Sequence, residues 1–326
     1  MKRIDLDFPH SWDELTGKQM EEIHRLKERA RNLAQNGTDP DKAVSQYKLL
    51  VFLYLAGLKV RKRAIPKDDG TFIYILRRKG WRHLFEEIPM ENWQLAQWIK
   101  DLLEFIDEPG GRLEAPYNLL RVGTQWWKAP DSQLTSVTFE QYNHAQQYLV
   151  AYWDTRQAAD EMKNQGGSRK SIKHLYQESE QYKAMFLATL IVPPVVQTQH
   201  VDENGTYRVH RTSYIYHSSY ADKHWKKFTG RRWRYVFEVM LQFVQSCLEE
   251  YKSKFPDLFT THKGGEEQDF IVMEANKMNA LKKYGEFKNY QDIYNSNTFF
   301  IFGVLNNMCQ EAKAIEEMNR KMKSKR

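Results

Sequence analysis

Cysteine is nearly missing from this chain: Cys247 and Cys309 are the only two among 326 residues. Two thiols cannot build a disulfide framework. With neither a Cys-x-x-Cys pair nor a Cys/His cluster there is also no ligand set for structural zinc. Both lie on apolar, helix-like segments and read as core thiols. Long apolar runs are missing too. The longest, Leu49 to Leu58, is about half a membrane span, and Ala184 to Val196 is broken by Pro193-Pro194. The opening MKRIDLDFPHSW has no continuous apolar stretch of the kind a secretory signal needs. The expectation is a soluble cytoplasmic protein with no membrane partner, and Asn36-Gly37-Thr38 and Asn204-Gly205-Thr206 then read as turns rather than glycosylation acceptors. Catalytic signatures are absent as well: there is no GxSxG, P-loop, GxGxxG or HExxH. The adjacent carboxylates Glu249-Glu250 and Glu266-Glu267 would point about 100° apart on a helix, a poor geometry for sharing one substrate. No catalytic residue, metal site or cofactor is assigned, and the expectation is a protein that is not an enzyme.

What is present is globular material, 41% hydrophobic and 28% charged, with room for two domains of ordinary size. It also carries an internal echo. Gly70, in Asp68-Asp69-Gly70-Thr71-Phe72, and Gly205, in Asn204-Gly205-Thr206-Tyr207, stand 135 positions apart, as do Lys48 and Lys183 at the head of the apolar runs Lys48-LLVFLYLAGL and Lys183-AMFLATLIV. Trp93 and Trp233 open the following segments, and Leu15-Thr16-Gly17-Lys18-Gln19 echoes Val137-Thr138-Phe139-Glu140-Gln141. A repeat at this spacing implies duplication of a supersecondary unit.

The coarse pattern within each unit is the same. Thr16 is an N-cap for a polar helix to about Gln35, stopped by Asn36-Gly37. Asp39-Pro40 opens a second helix that is apolar on nearly every side by its end. A β-rich hairpin follows between Val60 and Arg77, then a helix from about Met90 to Ile106. In the second unit Thr138 caps a helix to about Lys163, and another runs from about Ile172 to Val192. A hairpin spans Val195–Thr198 and Tyr207–Tyr216, and a long helix runs from about Gly230 to Lys252. Asn289 to Asn297 reads as a break before a last helix from about Thr298. The expected fold is mainly α with small β-hairpins: two pseudo-repeated helix-helix-hairpin-helix units (1–130 and 131–263) and a helical C-terminal segment (264–326) with a basic tail.

Positive charge concentrates in the hairpin regions. From Lys59 to Arg82 nine Lys/Arg face only Asp68 and Asp69, and from Pro194 to Arg234 eight face Asp202, Glu203 and Asp222. The whole chain is only +7, so the remainder is acidic. This distribution suggests an acidic partner. The candidate surface comprises Lys59, Arg61, Lys62, Arg63, Arg77, Arg78 and Lys79 in the first unit, and Lys223, Lys226, Lys227, Arg231, Arg232 and Arg234 in the second. The second group is interleaved with Trp225, Phe228, Trp233 and Tyr235. Cations with flat rings suit phosphates and bases; equally, the rings fill the core while the cations ride the outside of a helix start. His210, His217 and His224 recur every seven residues, but on strand and loop, where that step swaps faces; they read as surface and turn histidines.

Three stretches carry a family resemblance: Phe8-Pro9-His10-Ser11-Trp12-Asp13-Glu14-Leu15-Thr16-Gly17-Lys18-Gln19, Lys48-LLVFLYLAGL, and Tyr284-Gly285-Glu286-Phe287 followed by Tyr290-QDIYNSNTFFIF. They resemble proteins encoded among phage and prophage tail genes in Bacteroidota, specifically tail assembly chaperones with a short leading Leu-Thr-x-x-Gln helix. The resemblance implies an accessory protein in the bacterial cytoplasm that binds a virion or tail protein during assembly. It transfers no functional residue. The alternative is a nucleic-acid-binding protein of a mobile element using the basic-aromatic segments.

Overall fold

The computed structural model describes residues 8–66, 72–79, 87–107, 111–201, 207–259, 278–285 and 287–323. The turns expected at Asp68–Gly70 and Asp202–Gly205, the carboxylates Glu266-Glu267, and Arg82 lie outside the described residues. The chain is mainly helical with small antiparallel hairpins, and divides into two compact units, Met1–Arg112 and Leu113–Arg326.

In the first unit, helix α1 (Gly17–Gln35) starts at a capping box: Thr16 Oγ1 accepts from the Gln19 amide at 3.3 Å, and Gln19 Oε1 accepts from the Thr16 amide at 2.8 Å. Met20, Ile23 and Leu26 share its buried face. Gly37, at φ 91°, ends the helix where a side chain would strain the backbone. Helix α2 (Pro40–Leu55) begins with Asp39 accepting from the Asp41 amide at 3.1 Å and ends among buried Val51, Phe52, Leu53 and Leu55. Its Phe52 ring lies 5.9 Å from Phe8 and 6.4 Å from Trp98.

Strands β1 (Leu58–Pro66) and β2 (Phe72–Arg78) form the expected hairpin, and β3 (Ile88–Glu91) adds a third strand in the order β1-β2-β3. A helix expected from Met90 therefore begins only at Asn92, as α3 (Asn92–Leu102), followed by the short α4 (Glu104–Asp107). The reason is local: Ile88 and Met90 alternate inward with Pro89 and Glu91 outward, a strand period, and Pro89 is tolerated because β3 is an edge. Arg112, itself buried, donates from Nη1 to the carbonyls of Trp12 (2.6 Å) and Leu15, tying the end of this unit to its start.

The second unit opens with a hairpin the sequence reading did not foresee, β4 (Leu119–Val122) and β5 (Gln125–Lys128), turning at Gly123 with φ 64°. Helices α5 (Phe139–Asn164) and α6 (Arg169–Leu190) form an antiparallel helical hairpin. Thr138 Oγ1 caps α5 by accepting from the Gln141 amide at 3.2 Å, and buried Gln141 donates to the Thr189 carbonyl at 2.8 Å. The last two turns of α6, Lys183 to Leu190, are buried on every side, making it the central helix.

Strands β6 (Val195–Val201) and β7 (Tyr207–Ser213) pair from Val195↔Ser213 to Val201↔Tyr207. Next come α7 (Tyr220–His224), a 3-10 turn over Trp225–Phe228, α8 (Arg231–Lys254) and the short α9 (Pro256–Phe259). The break expected over Asn289–Asn297 is instead a short helix, α10 (Tyr290–Asn295), because Asn289 and Asp292 form a reciprocal capping box at 2.9 and 3.2 Å. Helix α11 (Thr298–Lys323) packs Ile301, Phe302 and Leu305 against Phe139, Tyr251, Leu281 and Ile293. Cys247 is buried and Cys309 half-buried, and neither is in a disulfide.

Candidate functional site

The basic residues of the first unit lie along β1 and β2. Lys59 stands directly opposite Arg77 in the register. Arg61 is ion-paired with Glu87, and Lys79 Nζ sits 5.4 Å from the Tyr54 ring. Arg78 pairs across from Leu58. Lys62 and Arg63 belong to β1, with side chains outside the described set. Part of this cluster's charge is thus engaged within its own unit.

The second cluster is arranged differently. Lys223 lies in α7, Lys226 and Lys227 in the 3-10 turn, and Arg231, Arg232 and Arg234 in the first turn of α8; all six are exposed. No acidic residue occurs between Lys223 and Arg234. Gly230, the N-cap of α8, has φ 99° and offers no side chain as a cap; its carbonyl accepts from the Trp233 amide at 3.1 Å. Arg231, Arg232 and Arg234 bring three positive charges to the first turn of α8, where they oppose the helix dipole.

The interleaved rings point the other way. Phe228 and Trp233 are buried, and Trp225 and Tyr235 half-buried. Phe228 and Trp233 join an aromatic ladder that runs through the unit. His144 Nδ1 and the Tyr216 hydroxyl lie 2.7 Å apart. Tyr216 meets Tyr220 at 6.5 Å, Tyr220 meets His224 at 5.9 Å, and His224 meets Trp127 at 5.3 Å. Trp127 then meets Phe228 at 5.5 Å, and Phe228 meets Trp233 at 4.7 Å. Cations cap the rings: Lys227 lies 5.0 Å from Trp127, Arg232 5.1 Å from Trp233 and Lys226 5.7 Å from Trp225. Burial, and then the charges of Lys227 and Lys223, hold the His224 imidazole below its ordinary pKa.

A cleft of about 720 Å³ opens in the same unit, lined among others by Lys128, Thr138, Glu140, Val192, Ile215 and Tyr216. Its Tyr216 hydroxyl is pushed up in pKa by burial and then by the Glu140 carboxylate. The cleft adjoins the basic segment through Trp127, the neighbour of Lys128, and through the Tyr216–Tyr220 contact. Trp127 and the β4–β5 hairpin that holds it were missed in the sequence reading, although Leu120 and Val122 alternate with exposed residues up to Gly123, a short hairpin signal.

Trp93 and Trp233, aligned by the sequence echo, have opposite environments: Trp93 is 59% exposed and Trp233 5%. Among the described residues no group of three His, Cys, Asp or Glu side chains could hold a metal, and no helix is long and apolar enough to cross a membrane. The chain matches no protein-family model, and neither the curated proteins nor the solved structures hold a significant match to it.

Proposed function

We propose that the protein is a non-enzymatic accessory factor that binds another protein, and that the cations from Lys223 to Arg234 receive an acidic segment of that partner. The observation carrying this reading is the split between cations and rings in the second cluster. Every cation faces solvent, while Phe228, Trp233 and the neighbouring Trp127 are built into the core. A single-strand nucleic-acid site needs rings free to stack on bases, and only half-buried Trp225 and Tyr235 remain here. Rings suited to anchoring a protein partner stand elsewhere: Trp126 on β5 and Trp153 on α5 are both exposed.

The resemblance to tail assembly chaperones makes the partner a virion or tail protein met in the bacterial cytoplasm. Duplication of a helix-helix-hairpin-helix unit belongs to the same proposal. It is supported by the shared order α1-α2-β1-β2 and α5-α6-β6-β7, and by Thr-x-x-Gln at the start of both leading helices.

The test is a pair of fluorescence-anisotropy titrations, one with a labelled glutamate-rich peptide and one with a labelled single-stranded oligonucleotide. Peptide binding should weaken at least about tenfold in the Lys226→Glu/Lys227→Glu/Arg231→Glu variant. Tighter binding of the oligonucleotide, lost in Trp225→Ala, would overturn the proposal in favour of a nucleic-acid site.

A further inference from the structure

The cleft that adjoins the basic segment has a spare charge of the opposite sign. Among the described residues that line it, Lys128 is the one cation and Glu140 the one acid. Lys128 is engaged, its Nζ 2.9 Å from the Asp131 carboxylate. Glu140 is half-buried and makes no hydrogen bond or ion pair with another described residue. It stands in the first turn of α5, where the helix dipole favours an acid. Thr138 already caps that helix through the Gln141 amide, so the Glu140 carboxylate is not needed as a cap. Burial, and then Glu140, push up the pKa of the Tyr216 hydroxyl, with Tyr148 and Asp222 adding to the rise. Carboxylates thus set the fixed charge felt at this wall.

We propose that this cleft binds a small primary amine with an apolar body, its ammonium group held at Glu140. The volume of about 720 Å³ is that of a small-molecule site. A half-buried carboxylate has lost part of its hydration without gaining a counterion, and an ammonium donor restores both a charge partner and a hydrogen bond. The apolar body has surface to cover. Leu190 and Val192 line the cleft, and Ile215, also in its wall, is 52% exposed. Tyr214 and Tyr216 line it too, and tyrosine is a residue type that accommodates an ammonium group. Tyr216 is tied to α5 by its 2.7 Å contact with His144, so this wall is formed before any ligand arrives. A divalent metal is a poorer occupant. It needs several oxygen ligands, and among the described residues no group of three His, Cys, Asp or Glu side chains could hold one. The site is independent of the partner binding proposed above, because a charge of opposite sign selects its ligand.

Calorimetric titration of the full chain with 2-phenylethylamine tests the proposal, with 2-phenylethanol and 3-phenylpropanoate as neutral and acidic counterparts of similar shape. The amine should bind with Kd on the order of 100 μM, as befits so small a ligand. The alcohol and the acid should each bind at least about tenfold more weakly. Glu140→Gln removes the charge at nearly constant size and should bring the amine down to the level of the alcohol. Ile215→Lys places a competing ammonium at the exposed rim, where no packing is lost, and should abolish amine binding. The three ligands on the natural chain decide the question even where a variant fails to fold. No saturable heat with the amine would overturn the proposal. So would equal affinity for amine and alcohol, tighter binding of the acid, or amine binding unchanged in Glu140→Gln.

Discussion

Trp127 offers the sharpest test of the view that the rings of the basic segment are structural. Its side chain is 1% exposed, wedged between His224 and Phe228 with Lys227 over its face. Its indole Nε1 is buried and has no hydrogen-bond partner among the described residues. Trp127→Ala removes the ring and leaves a cavity under the basic segment, an expected loss of about 3–5 kcal/mol. Trp127→Phe forfeits part of the packing, about 1–2 kcal/mol, but also removes the unpaired N–H, which costs about 1–3 kcal/mol where it is. The two effects offset, and the Phe variant should lie within about 1 kcal/mol of the natural protein. Urea unfolding followed by far-ultraviolet circular dichroism measures both differences. An Ala variant losing less than about 1 kcal/mol would refute the reasoning. So would a Phe variant as damaged as the Ala variant, since the unpaired N–H would then carry no penalty.

Three further outcomes are expected. Arg112→Met removes the guanidinium that satisfies the Trp12 and Leu15 carbonyls and should destabilise the first unit by about 2–3 kcal/mol, read by the same unfolding experiment. Thr16→Ala and Thr138→Ala should each cost about 1 kcal/mol, because both threonines cap a helix through the amide three residues on. His224 has its pKa held below 6.5, so its neutral form contributes stability that is fully present above pH 6.5 and lost as pH falls through the folded-state value. His224→Gln should therefore flatten the decline of stability below pH 6.5, measured as urea midpoints across pH 5 to 8.

Much of the fold was legible because its signals are local. Thr16, Thr138, Pro40 and the Asn36-Gly37 stop mark helix ends through chemistry confined to one turn, and they lie where those rules place them. The strands β3, β4 and β5 were hard to read, since four residues give only a faint alternation, as at Leu120 and Val122 before Gly123, to separate a strand from the start of a helix. At α10 the polar run Asn289–Asn297 resembles a loop in composition, and only the pairing of Asn289 with Asp292 makes it helical. The site shows the same division. The cations of Lys223–Arg234 were countable from sequence, but whether their neighbouring rings face solvent or core depends on Trp127, about a hundred residues away. Trp93 and Trp233 occupy matching places in the sequence pattern and opposite environments in the fold, because burial is set by what packs against a residue rather than by what precedes it.

The central claim is that the partner is a protein held by the Lys223–Arg234 surface. Affinity capture from the native host tests it most directly, with the lysate split into nuclease-treated and untreated halves. The natural chain would be compared with the Lys226→Glu/Lys227→Glu/Arg231→Glu variant, and bound material identified by mass spectrometry. The account expects a tail-gene product bearing an acidic segment, retained after nuclease and lost with the variant. Loss of all bound material on nuclease treatment would contradict it and make the basic segment a nucleic-acid site.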